Sequence, residues 1–127
     1  MFETLSKLEV LVVDDLTSAR KIMRRLLVGL GFEKVAEAPG GGAAFSACQE
    51  KRFDLIVADF NLQDMTGLEL RKMLLEANQS PSFVLVTGEQ NQEVLDSITE
   101  QGITLLLKPF SSDDLKSKIV AALTVAR

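Results

Sequence analysis

The 127-residue chain has no histidine, no tryptophan and no tyrosine, and it has a single cysteine, Cys48. The absence of histidine excludes imidazole general bases and the common zinc ligand sets. One cysteine excludes an internal disulfide, which agrees with a reducing cytoplasm. No apolar run approaches the roughly 18 residues of a membrane span, and residues 1–7 lack the features of a signal peptide. We therefore expect a cytoplasmic protein without a membrane segment.

The chain also has fewer positive than negative residues. It has 14 Lys and Arg residues and 18 Asp and Glu residues, which gives a formal net charge of -4. Such a balance argues against direct binding to nucleic acid or to an anionic membrane surface. Hydrophobic residues make up 46% of the chain and charged residues 25%, as in an ordinary globular protein. This length is typical of one domain, so we expect residues 1–127 to form a single domain.

Short apolar runs alternate with amphipathic segments along the chain. The five runs, which are mostly rich in Val, Ile or Leu, are residues 10–13, 35–38, 55–58, 83–86 and 104–107. Continuous runs of this length are typical of strands buried on both faces of a parallel sheet. The helical patterns between and after them are residues 17–28, 42–50, 66–78, 91–101 and 111 to the C-terminus. The alternation predicts an α/β fold whose sheet is covered on both faces.

Local signals mark the ends of the predicted helices. Gly29 and Gly31 are expected to end the first helix. Thr66 and Glu69 have the spacing of a capping box at the start of the third helix. The stretch PGGGAAF at residues 39–45 is glycine-rich, and we expect it to weaken the start of the second helix.

Polar or charged residues lie at the ends of four of the five predicted strands. Asp14 and Asp15 follow the first strand, Asp59 the third, Thr87 the fourth and Lys108 the fifth. The carboxyl ends of parallel strands form the ligand-binding edge of an open sheet. Carboxylates this close repel one another unless a cation neutralises them. An all-oxygen donor set without His or Cys favours Mg²⁺.

This set of residue types suits phosphoryl chemistry. An aspartate carboxylate can act as a nucleophile and form an aspartyl phosphate. A divalent cation, the ammonium of Lys108 and the hydroxyl of Thr87 are suited to stabilise the phosphoryl oxygens. Because an ionised carboxylate needs no general base, the lack of histidine is no obstacle to this reaction.

Four stretches in this order and spacing, VVDD, DFNLQDMTGLEL, VLVTGE and LLKPF, resemble the receiver domain of two-component response regulators. The resemblance covers essentially the whole chain and is strongest to the small chemotaxis-type members. It implies a flavodoxin-like, doubly wound (βα)5 fold whose five-stranded parallel sheet has the order 2-1-3-4-5. It also implies a phosphoacceptor module of a phosphorelay, which phosphorylates itself from phosphodonors and slowly dephosphorylates, rather than a conventional turnover enzyme.

The resemblance carries specific roles over to three side chains. By position, Asp59 is similar to the phosphoacceptor of the family. Thr87 is similar to the switch hydroxyl, and Lys108 to the charge partner of the phosphoryl group. The family also implies a cis peptide between Lys108 and Pro109, an isomer that X-Pro bonds adopt at low cost.

The same resemblance implies a bound Mg²⁺, for which Mn²⁺ is a plausible substitute. Its implied ligands are the carboxylates of Asp14, Asp15 and Asp59 and the backbone carbonyl of Asn61. Asp15 is implied to bind the ion directly, and Asp14 mainly through water.

The implied partners are a sensor histidine kinase or a phosphotransfer domain, which supplies the phosphoryl group, and a downstream output protein. Small donors such as acetyl phosphate are also implied. Phosphorylation is implied to switch the face formed by the fourth predicted helix, the fifth strand and the fifth helix. We expect a monomer, with dimerisation on activation as the alternative, and no direct contact with nucleic acid or membrane.

Three features depart from the family pattern, and the glycine-rich start of the second predicted helix is one of them. Leu105 lies where many members have a Tyr or Phe that turns inward on activation, so the aromatic part of the switch is in question. Gln63 replaces the proline that usually follows the phosphoacceptor by four residues, which predicts a less rigid loop. A further open point is the group Arg20, Lys21, Arg24 and Arg25, which fits either a solvated helix face or a docking surface for an acidic partner.

Four alternative functions remain open at this point. The chain fits a receiver-fold scaffold that phosphorylation does not regulate, and it fits a fragment of a longer, for example DNA-binding, regulator. A phosphatase with an aspartyl nucleophile needs a second acid two residues after the nucleophile, a position that Asn61 occupies here. A flavin-binding module of similar topology ranks last, because the acids of the first loop would repel a flavin phosphate.

Overall fold

Five parallel strands form one sheet in the computed structural model, which describes residues 2–124, with side chains from residue 4. The strands are β1 (Glu9–Val13), β2 (Lys34–Ala38), β3 (Leu55–Asp59), β4 (Ser82–Thr87) and β5 (Thr104–Leu107). Their order across the sheet is β2-β1-β3-β4-β5. The expected doubly wound fold with the order 2-1-3-4-5 is confirmed.

Six helices lie within the described residues. They are α1 (Phe2–Lys7), α2 (Thr17–Leu30), α3 (Gly41–Glu50), α4 (Gly67–Glu76), α5 (Gln92–Glu100) and α6 (Ser112–Thr124). None of the helices described is long and apolar enough to cross a membrane. Because α1 precedes the five helices predicted from the sequence, the fourth and fifth predicted helices are α5 and α6. The face expected to switch on activation therefore consists of α5, β5 and α6.

One expectation about a helix boundary was wrong, and one helix was not predicted from the sequence. Residues 2–7, which have no helical pattern in the sequence, form α1, because Leu5 and the following Leu8 gain packing against the core. Gly29 lies inside α2 and does not end it. The helix ends at Gly31, whose φ of 115° is a left-handed conformation that glycine adopts without steric cost.

The hydrophobic core consists of two clusters, one on each face of the sheet. Alternate residues of each central strand point to opposite faces, so β1 contributes Leu11 and Val13 to one cluster and Val10 and Val12 to the other. Helices α3, α4 and α5 cover the first face, while α2 and α6 cover the second. Burial of the strands on both faces fixes their register, because a slip would expose apolar side chains.

Helix α4 begins against the strand that carries Asp59. Thr66 and Glu69 form the predicted capping box: Thr66 Oγ1 accepts from Glu69 N at 3.1 Å, and Glu69 Oε1 accepts from Thr66 N at 3.3 Å. A Cβ atom at Gly67 would lie 2.7 Å from the backbone oxygen of Asp59 and 2.5 Å from Leu85 Cδ1. Glycine is therefore required here for close approach of the helix to β3.

The glycine-rich start of α3 is capped by a residue from another segment. The Asp64 carboxylate, in the loop between β3 and α4, accepts hydrogen bonds from Gly41 N at 3.0 Å and Gly42 N at 2.8 Å. These two bonds hold the pKa of Asp64 below its ordinary value. A Cβ atom at Gly41 would lie 2.4 Å from the Met65 side chain, so the glycines leave room for this loop. The cap offsets the low helix propensity of the glycines.

We predict opposite effects for alanine at two glycines of the chain. Gly67→Ala should lower the free energy of unfolding by about 1–3 kcal/mol, because the new methyl group meets the backbone of β3. Gly29→Ala, which adds a methyl group to open space on an exposed helix face, should raise it by about 0.5–1 kcal/mol.

Urea unfolding followed by circular dichroism measures both changes, since the chain has no Trp or Tyr. Equal stability of Gly67→Ala and the wild type would contradict the close approach of α4 to β3.

Candidate functional site

The residues that follow the strands meet at one edge of the sheet. In the register of β1 and β3, Val13 lies opposite the residue that precedes Asp59, so Asp14 emerges beside Asp59. Thr87 is the last residue of β4. Lys108 follows β5, and its backbone N donates to Thr87 O at 2.8 Å. The parallel register thus places these four predicted site residues at the ends of neighbouring strands.

Asp59 is buried, and both of its carboxylate oxygens are engaged. Oδ1 lies 2.6 Å from Lys108 Nζ, and Oδ2 accepts a hydrogen bond from Asn61 N at 3.0 Å. The Asp59 side chain is 11% exposed and that of Lys108 is 45% exposed. The ion pair is therefore reached from solvent on the lysine side, while the carboxylate sits at the floor of the site.

Asp14 lies in a less favourable electrostatic environment. Burial raises the pKa of this carboxyl group above its ordinary value, and the negative charges of Asp59 and Asp15 raise it further. The hydrogen bond from Leu16 N to Asp14 Oδ1, at 3.0 Å, and the charge of Lys108 act in the opposite direction. Added positive charge at this edge would relieve the repulsion between the carboxylates.

The remaining proposed metal ligands, Asp15 and Asn61, lie within two residues of Asp14 and Asp59 in the chain. Asp15 is half-buried next to Asp14, and Asn61 belongs to a loop that pairs with Thr66 through a single antiparallel bridge. Among the described residues, no group of three or more acidic, His or Cys side chains lies close enough together to hold a metal ion. Mg²⁺ needs only one or two protein carboxylates and keeps several waters, so the all-oxygen donor set fits this ion in its chemistry.

The predicted switch hydroxyl lies beneath the loop between β4 and α5. Thr87 is 2% exposed, and its Oγ1 accepts a hydrogen bond from Glu89 N at 3.0 Å. The Glu89 carboxylate accepts from the next two backbone amides, those of Gln90 and Asn91, at 3.0 Å each. Within the described residues the Thr87 hydroxyl is bonded to this loop and not to Asp59.

The two single-residue departures from the family pattern, Leu105 and Gln63, differ in environment. Leu105 is buried, with 8% of its surface exposed, in the cluster that packs against α5. Leu107, two residues later, is 47% exposed between α5 and α6. Gln63 is exposed in the loop between β3 and α4. The position at which many members have an aromatic switch is therefore already filled by a buried aliphatic side chain.

The Lys108–Pro109 peptide is cis, as the family resemblance implied.

Arg20 also lies at this edge of the sheet, a position that the sequence alone did not predict. Its guanidinium donates from Nη1 to the backbone oxygen of Asp14 at 2.9 Å and from Nε to Glu37 Oε1 at 3.0 Å. The sequence does carry a signal for this contact, because Glu37 interrupts an apolar run that otherwise predicts a buried strand. A glutamate at such a position needs a cationic partner.

Known proteins share the sequence pattern and the fold of this chain. Residues 10–120 match the family model described as the response regulator receiver domain. The chemotaxis protein CheY of Pseudomonas aeruginosa is 32% identical over 115 residues, which cover 88% of this chain and 93% of the relative. Chemotaxis protein CheY-3 of Vibrio cholerae is 30% identical over 115 residues, 88% of either chain.

A solved structure agrees with these relatives. The chemotaxis response regulator CheY4 of Vibrio cholerae superposes with a TM-score of 0.81 at 31% identity, over 91% of this chain and 98% of that chain. The match over residues 10–120 and the shared fold agree, and the chain belongs to the response regulator receiver domain family.

Proposed function

We propose that residues 1–127 act as a single receiver domain of the CheY type in a two-component phosphorelay, with Asp59 as the phosphoacceptor. The observation that carries this proposal is the environment of Asp59 at the end of β3. Its Oδ1 is 2.6 Å from the half-exposed Lys108 ammonium, and its Oδ2 is held by Asn61 N. A buried carboxylate oriented by two donors and open to solvent on one side suits attack on a phosphoryl donor.

The proposed reaction transfers a phosphoryl group from a phosphohistidine. An Asp59 carboxylate oxygen attacks phosphorus and forms a P–O bond, while the P–N bond breaks and its electron pair remains on the departing imidazole nitrogen. The Lys108 ammonium pairs with the charge on the phosphoryl oxygens. In autodephosphorylation, water attacks the same phosphorus, which regenerates the Asp59 carboxylate and releases inorganic phosphate.

A divalent cation is part of the proposal. Asp14, Asp15, Asp59 and the backbone carbonyl of Asn61 would hold Mg²⁺, with Mn²⁺ as a substitute. When bound, the ion supplies positive charge that neutralises the carboxylates and the phosphoryl oxygens. The negative charges of Asp59 and Asp15, which add to the effect of burial in raising the pKa of Asp14, support this assignment.

Regulation would pass through the hydroxyl that lies beneath the loop between β4 and α5. A phosphoryl group on Asp59 offers a charged acceptor; the Thr87 hydroxyl would turn to donate its O–H to it and give up the hydrogen bond that Oγ1 accepts from Glu89 N. The loop leads directly into α5, so the change would reach the face of α5, β5 and α6.

The proposed partners are those that the resemblance to chemotaxis-type response regulators implies. They are a sensor histidine kinase or a phosphotransfer domain and an output protein, in the cytoplasm. The acting form would be a monomer, with dimerisation on activation as the alternative.

One observation favours a second candidate, a receiver-fold scaffold that phosphorylation does not switch. Leu105 is already buried and has no hydroxyl, so an inward rotation of this side chain has little to change. The scaffold predicts that the face of α5, β5 and α6 is the same with and without a phosphoryl mimic, which amide chemical shifts in the presence of beryllofluoride would reveal.

We predict that acetyl phosphate with Mg²⁺ adds one phosphoryl group to the wild type and none to Asp59→Asn. The amide cannot act as the nucleophile, although it keeps the size of the carboxylate. Intact mass, with and without a chelator, measures the gain. Asp113→Asn, which neutralises an exposed acid in the first turn of α6, serves as the matched control and should be labelled like the wild type.

Labelling of Asp59→Asn at the wild-type level would contradict the assignment of the phosphoacceptor.

We predict that Asp14→Asn stabilises the metal-free protein and weakens Mg²⁺ binding. The folded state raises the pKa of Asp14, so the ionised carboxylate costs stability as the pH rises above the ordinary value near 3.8. Asparagine removes the charge and keeps an acceptor for Leu16 N. In chelator at pH 7, Tm should rise by a few degrees, and the gain should vanish near pH 3, where the carboxyl group is protonated in both states.

Mg²⁺ affinity of Asp14→Asn, measured by titration of amide chemical shifts, should fall on the order of tenfold. A variant with lower Tm and unchanged affinity would contradict both parts of this prediction.

A further inference from the structure

We propose that Arg20 is a positioning residue for the cation site, acting through the backbone of Asp14; this inference rests on the proposed function. The guanidinium makes two contacts at once. Nη1 donates to Asp14 O at 2.9 Å, and Nε donates to Glu37 Oε1 at 3.0 Å. The arginine therefore joins the loop that follows β1 to the neighbouring strand β2.

Arg20 differs from the other basic residues on the same helix in its exposure. Its side chain is 13% exposed, compared with 55% for Lys21 and 47% for Arg24. All three lie near Glu37, but only Arg20 also bonds to the backbone of a proposed metal ligand among the described contacts. A mostly buried guanidinium with two geometrically fixed acceptors loses little further freedom and holds both of them in place.

Glu37 is a stable anchor for this contact. The hydrogen bond from Lys21 holds the pKa of Glu37 below its ordinary value, and the contacts with Arg20 add to the effect. The carboxylate therefore remains ionised throughout the neutral range. Its strand is fixed as well, because Glu37 pairs with Val12 in the sheet, and Ala38 O accepts from Asp14 N at 3.2 Å.

The backbone of Asp14 is consequently held on both sides. Its N–H is bonded to β2, and its carbonyl is bonded to Arg20. The peptide group between Asp14 and Asp15 is planar, so fixing the direction of this carbonyl also fixes where the backbone of Asp15 begins. The Arg20 guanidinium thus restricts the backbone positions of Asp14 and Asp15, which carry two adjacent carboxylates at the sheet edge.

A role through charge and a role through positioning predict opposite changes in Mg²⁺ affinity when the Arg20 guanidinium is removed. Arg20 brings a positive charge to the backbone of Asp14, so charge alone would weaken Mg²⁺ binding, and removal of the charge would strengthen it. Positioning predicts that removal of the guanidinium weakens binding, because the ligands lose their fixed geometry. The direction of the change in affinity therefore distinguishes the two roles.

The test measures Mg²⁺ affinity by titration of amide chemical shifts, with Mg²⁺ alone as the probe. Arg20→Gln should weaken binding on the order of tenfold. Arg20→Lys should also weaken it, because a single ammonium cannot reproduce the fork that contacts both acceptors. Lys21→Gln is the matched control: it removes an equal charge and another contact to Glu37, and its affinity should stay within about twofold of the wild type.

The outcomes separate this inference from the proposed function. Wild-type binding together with unchanged or tighter binding by Arg20→Gln and Arg20→Lys would overturn the role of Arg20 alone. No Mg²⁺ binding by the wild type would overturn the proposed function and the inference with it. If Arg20→Gln does not fold, as its amide spectrum would show, Arg20→Lys and Glu37→Gln decide the question, and both should bind more weakly than the wild type.

Discussion

The parallel register of the central strands is the constraint on which the site depends. Asp59 and Lys108 are 49 residues apart in the chain, yet their side chains meet at 2.6 Å because β3, β4 and β5 end at the same edge. A shift of β3 by one residue would turn the Asp59 side chain to the opposite face of the sheet. The two core clusters prevent that shift, so the chemistry at the edge is held by apolar packing below it.

Two of the carboxylates at this edge, those of Asp14 and Asp59, have compensating contacts. Lys108 and Asn61 N compensate Asp59, and Leu16 N bonds to Asp14. Burial raises the pKa of Asp14, and repulsion from Asp59 and Asp15 raises it further despite the bond from Leu16 N. A site that is fully neutralised by its own side chains has little affinity for a further cation, so the residual repulsion is consistent with a place for one.

Much of the fold was predictable because it is encoded locally. The five apolar runs, the capping box of Thr66 and Glu69, and the left-handed Gly31 each depend on neighbours within a few residues. The strand order and the cis Lys108–Pro109 peptide came from the family resemblance and not from periodicity. What the pattern could not give are contacts between distant segments. The packing that makes residues 2–7 helical is one, and the Arg20–Glu37 pair is another.

The hydrogen bonds that Asp64 accepts from the start of α3 also restrict the length of the loop between β3 and α4, which contains Asp64. This loop is attached at its start through Asn61 N, at its middle through Asp64 to the first turn of α3, and at its end through Gly67 N, which donates to Phe60 O at 2.8 Å. An insertion or deletion between these attachments would detach at least one of them. Variation in this loop is therefore limited to the identity of exposed residues such as Gln63, and its number of residues is fixed by the fold.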